Sequence, residues 1–336
     1  MIRAWAAHEK AGSFSEISYD PGEIRADEVE IAVEACGLCH SDLSLLDEEW
    51  GETPFPLVPG HEVVGTIRAV GKGVRHLKIG QRVGVGWLAR SCLTCNTCMS
   101  GDHNLCAAAQ GIAVGRFGGF GEAVRVQAAW AVPLPEGLDA RAAGPLFCGG
   151  ITVFAPIVAF NVKPTDRVGV IGIGGLGHLA LQFLNAWGCE VTAFTSTGAK
   201  AEEAKKFGAH RIVDSRSKDA PKAEAGRYDF ILSTVAVPLD WKRYMAALAP
   251  KGRLHTVGAV SEPLEIPAFS LIGGQKSVSG SPVGSPAVMA QMLEFCARHQ
   301  INPQVEYMPM SQIDDAFQRL RDGKPRYRIV LENDFA

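Results

Sequence analysis

The first part of the chain reads as short strands separated by glycine turns. Val29 to Glu34 alternates apolar and charged residues, which predicts a half-buried strand. Val63 to Val70 is a strand ending in the Gly71 turn, and Lys78 to Val85 is a turn followed by a strand. Gly118 to Val126 reads as a glycine hinge into another strand. This density of short strands predicts a compact, partly closed β domain. Helical spacing begins late: Ala142 to Phe160 is the first sustained helix candidate, broken by Gly149, Gly150 and Pro156. From there the pattern becomes α/β. Asp166 to Ile171 is a short buried strand, His178 to Trp187 a helix, and Glu190 to Phe194 a second strand. Further strands are expected at 212–214, 228–233, 252–258 and 277–281, with a helix at 241–248 ending at Pro250. Pro286 opens a helix over 287–299 as its first residue. A last helix around Ile313–Phe317 and a strand at Arg328–Leu331 are expected to rejoin the first domain.

Length and composition narrow the class. The 336 residues accommodate two domains of ordinary size. With 47% hydrophobic and 21% charged residues the chain is of globular type. A net charge of −3, from 33 basic and 36 acidic residues, gives no nucleic-acid surface. No run approaches the roughly eighteen apolar residues of a membrane span, and Met1 to Lys10 carries no apolar export segment. Four of the nine cysteines fall within Cys92–Cys106, a metal-ligand spacing that predicts thiolates in a reducing compartment. The expectation is a cytoplasmic protein.

Two cysteine groups carry metal chemistry. Cys39-His40-Ser41-Asp42 and Gly60-His61-Glu62 supply a thiolate and an imidazole, both good zinc ligands. Cys148, before Gly149-Gly150, is the candidate third ligand. A Cys, His, Cys set leaves a fourth position open, which is the catalytic arrangement. Cys36 is read as a buried structural thiol instead. The second group, Cys92, Cys95, Cys98 and Cys106, places four thiolates around one point and predicts a closed structural zinc. An iron–sulfur cluster also uses four thiolates, but no other feature points to electron transfer. His103 is then a surface residue.

Gly172-Ile173-Gly174-Gly175-Leu176-Gly177 is G-x-G-x-x-G between a strand and a helix, the context a dinucleotide site requires. The pyrophosphate is expected at the helix N-terminus, where free N–H groups favour an anion. An NAD site ends its second strand with an acidic residue for the ribose 2′-hydroxyl. Here Thr195, Ser196 and Thr197 stand instead, followed by Lys200. Hydroxyls and an ammonium suit a 2′-phosphate, so NADP is favoured, with NAD the alternative. The same hydroxyls can also cap the helix near Lys200.

Taken together, Cys39–Asp42, Gly60–Glu62, the cysteine quartet, Cys148 and Gly172–Gly177 resemble the zinc-dependent medium-chain alcohol dehydrogenases along nearly the whole chain. The segment Cys148 to Val153 and the Thr195-Ser196 strand end resemble the cinnamyl-alcohol-dehydrogenase-like branch most. The resemblance implies an α/β protein. It would have a GroES-like distorted β-barrel catalytic domain at 1–146 and 285–336, and a doubly wound Rossmann cofactor domain at 147–284. It implies two zinc ions per chain and a homodimer. It also implies roles: Ser41 passes the alcohol proton, Asp42 accepts from the His61 ring, and Glu62 approaches the catalytic zinc near Arg328. His40 would lie by the cofactor pyrophosphate, and Trp50 and Trp87 would wall the substrate pocket, core packing being the other reading. One position departs from the pattern, with Ser44 where some members end their proton relay in a histidine. The reaction implied is interconversion of a primary aliphatic or aromatic alcohol and its aldehyde. A polyol dehydrogenase, a zinc-free quinone or enone reductase, and a silent NADP-binding protein are the rivals.

Overall fold

The computed structural model describes residues 1–196, 198–217 and 223–335. Two compact units are distinguished, Met1–Ile151 with Val283–Ala336, and Thr152–Pro282.

The first unit opens with an antiparallel hairpin of β1 (Ile2–Ala7) and β2 (Phe14–Tyr19). β3 (Glu28–Leu38) runs directly into a short helix, α1 (His40–Leu46). Then follow β4 (Val63–Val70), β5 (Arg82–Val85), β6 (Leu88–Arg90), α2 (Asn96–Met99), β7 (Gln110–Gly111), β8 (Ala123–Gln127) and β9 (Val132–Pro133). β3 is the centre of the main sheet, pairing antiparallel with β4 along one side and with β8 through Glu28–Ala32. The expected half-buried alternation does not hold there. Glu28 and Glu30 are themselves buried, because Glu30 is clamped between Arg68 Nε (2.7 Å) and Arg125 Nε (2.6 Å). Paired charge lets an alternating sequence occupy an interior strand.

α3 (Gly149–Ala159) leads into the second unit, which is a parallel sheet. Its elements are β10 (Arg167–Ile171), α4 (Gly177–Trp187), β11 (Glu190–Thr195), α5 (Gly198–Lys206), β12 (Arg211–Asp214), β13 (Tyr228–Ser233), α6 (Trp241–Ala247), β14 (Leu248–Thr256), α7 (Ala268–Ile272) and β15 (Ser277–Gly280). The strand order is β12-β11-β10-β13-β14-β15. That is the doubly wound order in which ligands bind beyond the carboxyl ends of the strands. Phe194 anchors the core of this unit, edge-on to Tyr228 and Tyr244 at 5.5 Å each. β14 starts earlier than expected and contains Pro250. The pairing with β13 is irregular there, between Tyr228 and Phe230, and a strand tolerates proline at such a site.

The chain then returns to the first unit with α8 (Pro286–His299), β16 (Val305–Pro309), α9 (Ile313–Arg321) and β17 (Arg328–Glu332). β17 pairs antiparallel with β3, Ile329 opposite Leu38 and Glu332 opposite Ala35. Phe317 of α9 packs on Phe14 and Phe120, with ring centroids at 4.8 and 6.3 Å. The C-terminal segment is therefore part of this core. Phe317→Ala is expected to cost the unit about 3–5 kcal/mol, read from the denaturant midpoint by tryptophan fluorescence. An unchanged midpoint would show that α9 does not stabilise the unit.

Candidate active site and metal centres

α1 begins where β3 ends, making Cys39 its N-cap and Asp42 the third residue of its first turn. Asp42 is fully buried. It accepts from the Cys39 N–H (3.0 Å), the Gly60 N–H (2.8 Å) and His61 Nδ1 (2.9 Å). With Nδ1–H donated to a carboxylate, the His61 lone pair lies on Nε2. That Nε2 is buried without a hydrogen-bond partner, an unfavourable state for a polar atom. Around it stand Cys39 Sγ, Cys148 Sγ and a Glu62 carboxylate oxygen, all within 4.8 Å of one another. The two sulfurs are 3.9 Å apart. This is too far for a disulfide and close to the roughly 3.8 Å edge of a tetrahedron with Zn–S bonds of about 2.3 Å. These donors fit a zinc ion, and Cys36 stands outside the group.

The electrostatics also favour a cation. Burial opposes charge on His61, but the negative charges of Asp42 and Cys39 outweigh it and raise its proton affinity well above the usual range. The contact between the thiols leaves Cys39 well below and Cys148 well above the ordinary thiol value. Metal uptake must displace these protons. Burial pushes the Glu62 carboxyl up to about 7 against the pull of Arg328. Glu62 is ion-paired to Arg328, both being buried, while its second oxygen has no partner. Gly37 makes room for this glutamate: a Cβ there would lie 2.0 Å from Glu62 Oε2. Sequence reasoning did not single out Gly37, because a glycine beside a ligand motif has no signature of its own.

The other expected residues fall into three groups. Ser41, in the first turn of α1, has Oγ 3.7 Å from Cys39 Sγ, whereas His40 is exposed. Trp87 meets His61 edge-on at 4.8 Å, and Trp50, half exposed, meets Trp87 at 6.1 Å. Ser44 is buried and donates to Glu49 at 2.6 Å.

Cys92, Cys95, Cys98 and Cys106 form the second group of metal-ligand composition. Cys106 Sγ is 3.6 Å from Cys92, and the Cys92–Cys98 and Cys95–Cys106 separations are 3.9 Å. Backbone N–H groups of Thr94 and Cys95 hold the Cys92 thiol down at about 6, which favours the metal-binding thiolate.

In the second unit, the glycine loop joins β10 to α4. Gly172 has φ +86°, and a Cβ on Gly177 would lie 1.9 Å from the Gly172 carbonyl oxygen. A Cβ on Gly174 would meet no protein atom within 4 Å, leaving the approach open to a pyrophosphate. Thr234, which sequence reasoning missed, donates to the carbonyls of Ile171 (3.0 Å) and Gly172 (2.8 Å) and fixes the turn. Thr195 closes β11 and is buried, Ser196 follows it, and Lys200 lies in α5. Thr197 lies outside the described residues.

Cys148→Ser is expected to lower bound zinc from two ions per chain to one by elemental analysis. Asp42→Asn is expected to keep both sites while weakening one by about 10–100-fold in chelator competition. Full zinc content and unchanged affinity in both variants would remove Cys148 and Asp42 from the centre.

Comparison with known proteins agrees with this geometry. Residues 25–136 match the alcohol dehydrogenase GroES-like domain, and residues 175–298 match the zinc-binding dehydrogenase family. An aldehyde reductase AdhA from Synechocystis sp. is 54% identical over 333 residues, 99% of each chain. The structure of a cinnamyl alcohol dehydrogenase from Sorghum bicolor is similar at TM-score 0.93 and 37% identity, covering 98% of this chain and 97% of that one. The structure of CAD from Helicobacter pylori complexed with NADP(H) gives TM-score 0.90 at 29% identity, with the same coverage. This chain, a zinc- and NAD(P)-dependent oxidoreductase acting by hydride transfer, thus belongs to the zinc-dependent medium-chain dehydrogenase family, in its cinnamyl-alcohol-dehydrogenase-like branch.

Proposed function

We propose that this enzyme interconverts primary aliphatic or aromatic alcohols and their aldehydes with NADP(H). The observation that carries the reading is the unpartnered His61 Nε2 facing Cys39, Cys148 and Glu62, with the Trp87 ring against the same imidazole. An aromatic wall beside the ligands suits an apolar substrate body better than a polyol. When bound, zinc supplies a Lewis acid for the alcohol or carbonyl oxygen and the nicotinamide exchanges the hydride.

The chain's own residues do the rest. Cys39, His61 and Cys148 hold the catalytic metal, and Asp42 keeps the imidazole in the ligating tautomer. Ser41 Oγ, beside the Cys39 sulfur, takes or returns the substrate hydroxyl proton. Ser44 already donates to Glu49, so that hydroxyl proton is committed elsewhere. Glu62, held by Arg328, keeps one oxygen available to the cluster. Trp50 extends the wall begun by Trp87, and His40 serves the cofactor phosphates. Cys92, Cys95, Cys98 and Cys106 hold the structural zinc. In this reading residues 1–146 and 285–336 form the catalytic domain and 147–284 the cofactor domain. None of the nine cysteines forms a disulfide, which suits a cytoplasmic setting, and no described helix is long and apolar enough to cross a membrane.

NADP preference rests on Thr195, Ser196 and Lys200 at the end of β11 and the start of α5, with Thr197 assigned from sequence. None is acidic, and an acidic residue there would repel a 2′-phosphate. The NADP(H) complex of the Helicobacter pylori protein is a further support. Benzyl and cinnamyl alcohols and their aldehydes, assayed with NAD(H) and NADP(H), are expected to turn over preferentially with NADP(H). Lys200→Ala is expected to raise the KM for NADPH about tenfold, the loss of one charge-assisted contact, leaving NADH unaffected. Strict NAD(H) preference would overturn the cofactor assignment, and faster turnover of polyols would overturn the substrate assignment.

The homodimer is proposed through the second unit. β15 is a sheet edge, and Phe269 and Ile272 of the neighbouring α7 are 84% and 67% exposed. An uncovered edge beside apolar side chains invites a partner. Sedimentation is expected to give twice the 35.9 kDa chain mass, and Phe269→Glu with Ile272→Glu to give a folded monomer. A monomeric parent protein would rule this out.

A further inference from the structure

The first unit holds a cavity of ≈ 640 Å³, lined by none of the cysteine, histidine or glutamate residues of the metal groups. Its walls come from the β1–β2 hairpin, the turn after Tyr19, and the loop that follows β7. The volume is that of a small-ligand site.

Most of the arginines in this wall already have acidic partners. Arg125 is committed: its Nε donates to Glu30 (2.6 Å) and its Nη1 to the carbonyls of Pro21 (3.0 Å) and Gly22 (2.8 Å). Glu28 is shared between Arg25 (4.0 Å) and Arg90 (3.7 Å), and Arg90 is also paired with Asp27 (2.6 Å). Arg116 is different. Its Nη2 donates to the Arg125 carbonyl oxygen at 2.6 Å, and no described carboxylate lies within ion-pair distance of it. Burial lowers the pKa of this guanidinium, yet arginine stays charged. The cavity therefore carries a partly desolvated positive fork without a contacting carboxylate, Glu28 attracting it only from beyond ion-pair distance.

The neighbouring groups define what would complete it. Tyr19 lines the same space, with burial and the Glu30 carboxylate pushing its phenol up to about 12. Its hydroxyl is therefore a neutral donor at physiological pH. The Tyr19 ring is edge-on to Phe117 at 4.6 Å, and Phe117, Val114 and Gln110 line the same cavity. Glu23 and Glu28 also line the cavity, so a multiply charged anion meets repulsion there that a singly charged one meets less.

We propose that this cavity binds a small organic monoanion, a carboxylate on a short apolar or aromatic body, with Arg116 forked on the carboxylate and Phe117 against the body. Tyr19 and Gln110 donate beside the guanidinium. A planar carboxylate matches two N–H groups of arginine at once, which a spherical halide does not.

Benzoate is the probe, titrated by calorimetry into the full-length, zinc-loaded enzyme. Benzoate at the catalytic centre is reported separately, as competitive inhibition of alcohol oxidation. The expected result is a benzoate site that Arg116→Gln weakens about 10–100-fold, the factor of a charge-assisted hydrogen bond. Turnover and the competitive inhibition constant should stay at parent values, which also shows that the variant is folded. Tyr19→Phe should weaken the site less, by about 3–10-fold. Arg116→Lys, which keeps the charge and loses the fork, should fall between parent and Arg116→Gln. Benzoate binding that is unchanged in Arg116→Gln, or confined to the inhibitory site in the parent, overturns the proposal. Phosphate binding as tightly as benzoate overturns the ligand class.

Discussion

A single buried carboxylate, that of Asp42, holds the active-site geometry together. Three donors from two places in the chain converge on it: the N-cap N–H of α1, and the N–H of Gly60 with the imidazole of its neighbour His61. A buried carboxylate with fewer partners would be strongly unfavourable, so satisfying Asp42 requires the start of α1 and the Gly60-His61 segment to be in register. In doing so it starts the helix bearing Ser41, sets the turn at Gly60 with φ +96°, and leaves His61 Nε2 as the ligating atom. The metal site is thus prepared by a hydrogen-bond requirement before any ion is considered.

A second constraint ties the two ends of the chain to this centre. β17 runs antiparallel beside β3 and delivers Arg328 to Glu62 in the interior. Without the C-terminal strand Glu62 would lose the buried cation that most opposes its protonation, and its proton affinity, already raised by burial, would rise further. The pairing of Glu30 with Arg68 and Arg125 solves the same problem elsewhere on β3. Buried ion pairs contribute little net stability because desolvation opposes the attraction. Their effect here is positional: they make one register of the central strand acceptable and others poor.

Much of the chemistry was legible in residue type and spacing. Four cysteines between 92 and 106 announce a metal group because close thiols outside a disulfide need a shared cation. The glycine loop announces a dinucleotide turn because side chains would collide there, as the 1.9 Å approach at Gly177 shows. Local pattern was a poorer guide for β3, whose alternation hid an interior strand, and for α1. That helix has seven residues and a cysteine N-cap, too short for a periodic signal and with an uncommon starting residue.

The cysteine quartet and the glycine loop follow from local chemistry, since each depends on residues close together in the chain. Which charges would be neutralised does not. Glu62 meets Arg328 across 266 positions. Arg116 stands without a carboxylate because Arg125 offers it a carbonyl while Glu28 and Glu30 are engaged by other arginines. Ion pairing is decided by distance and desolvation in three dimensions, and a sequence records neither.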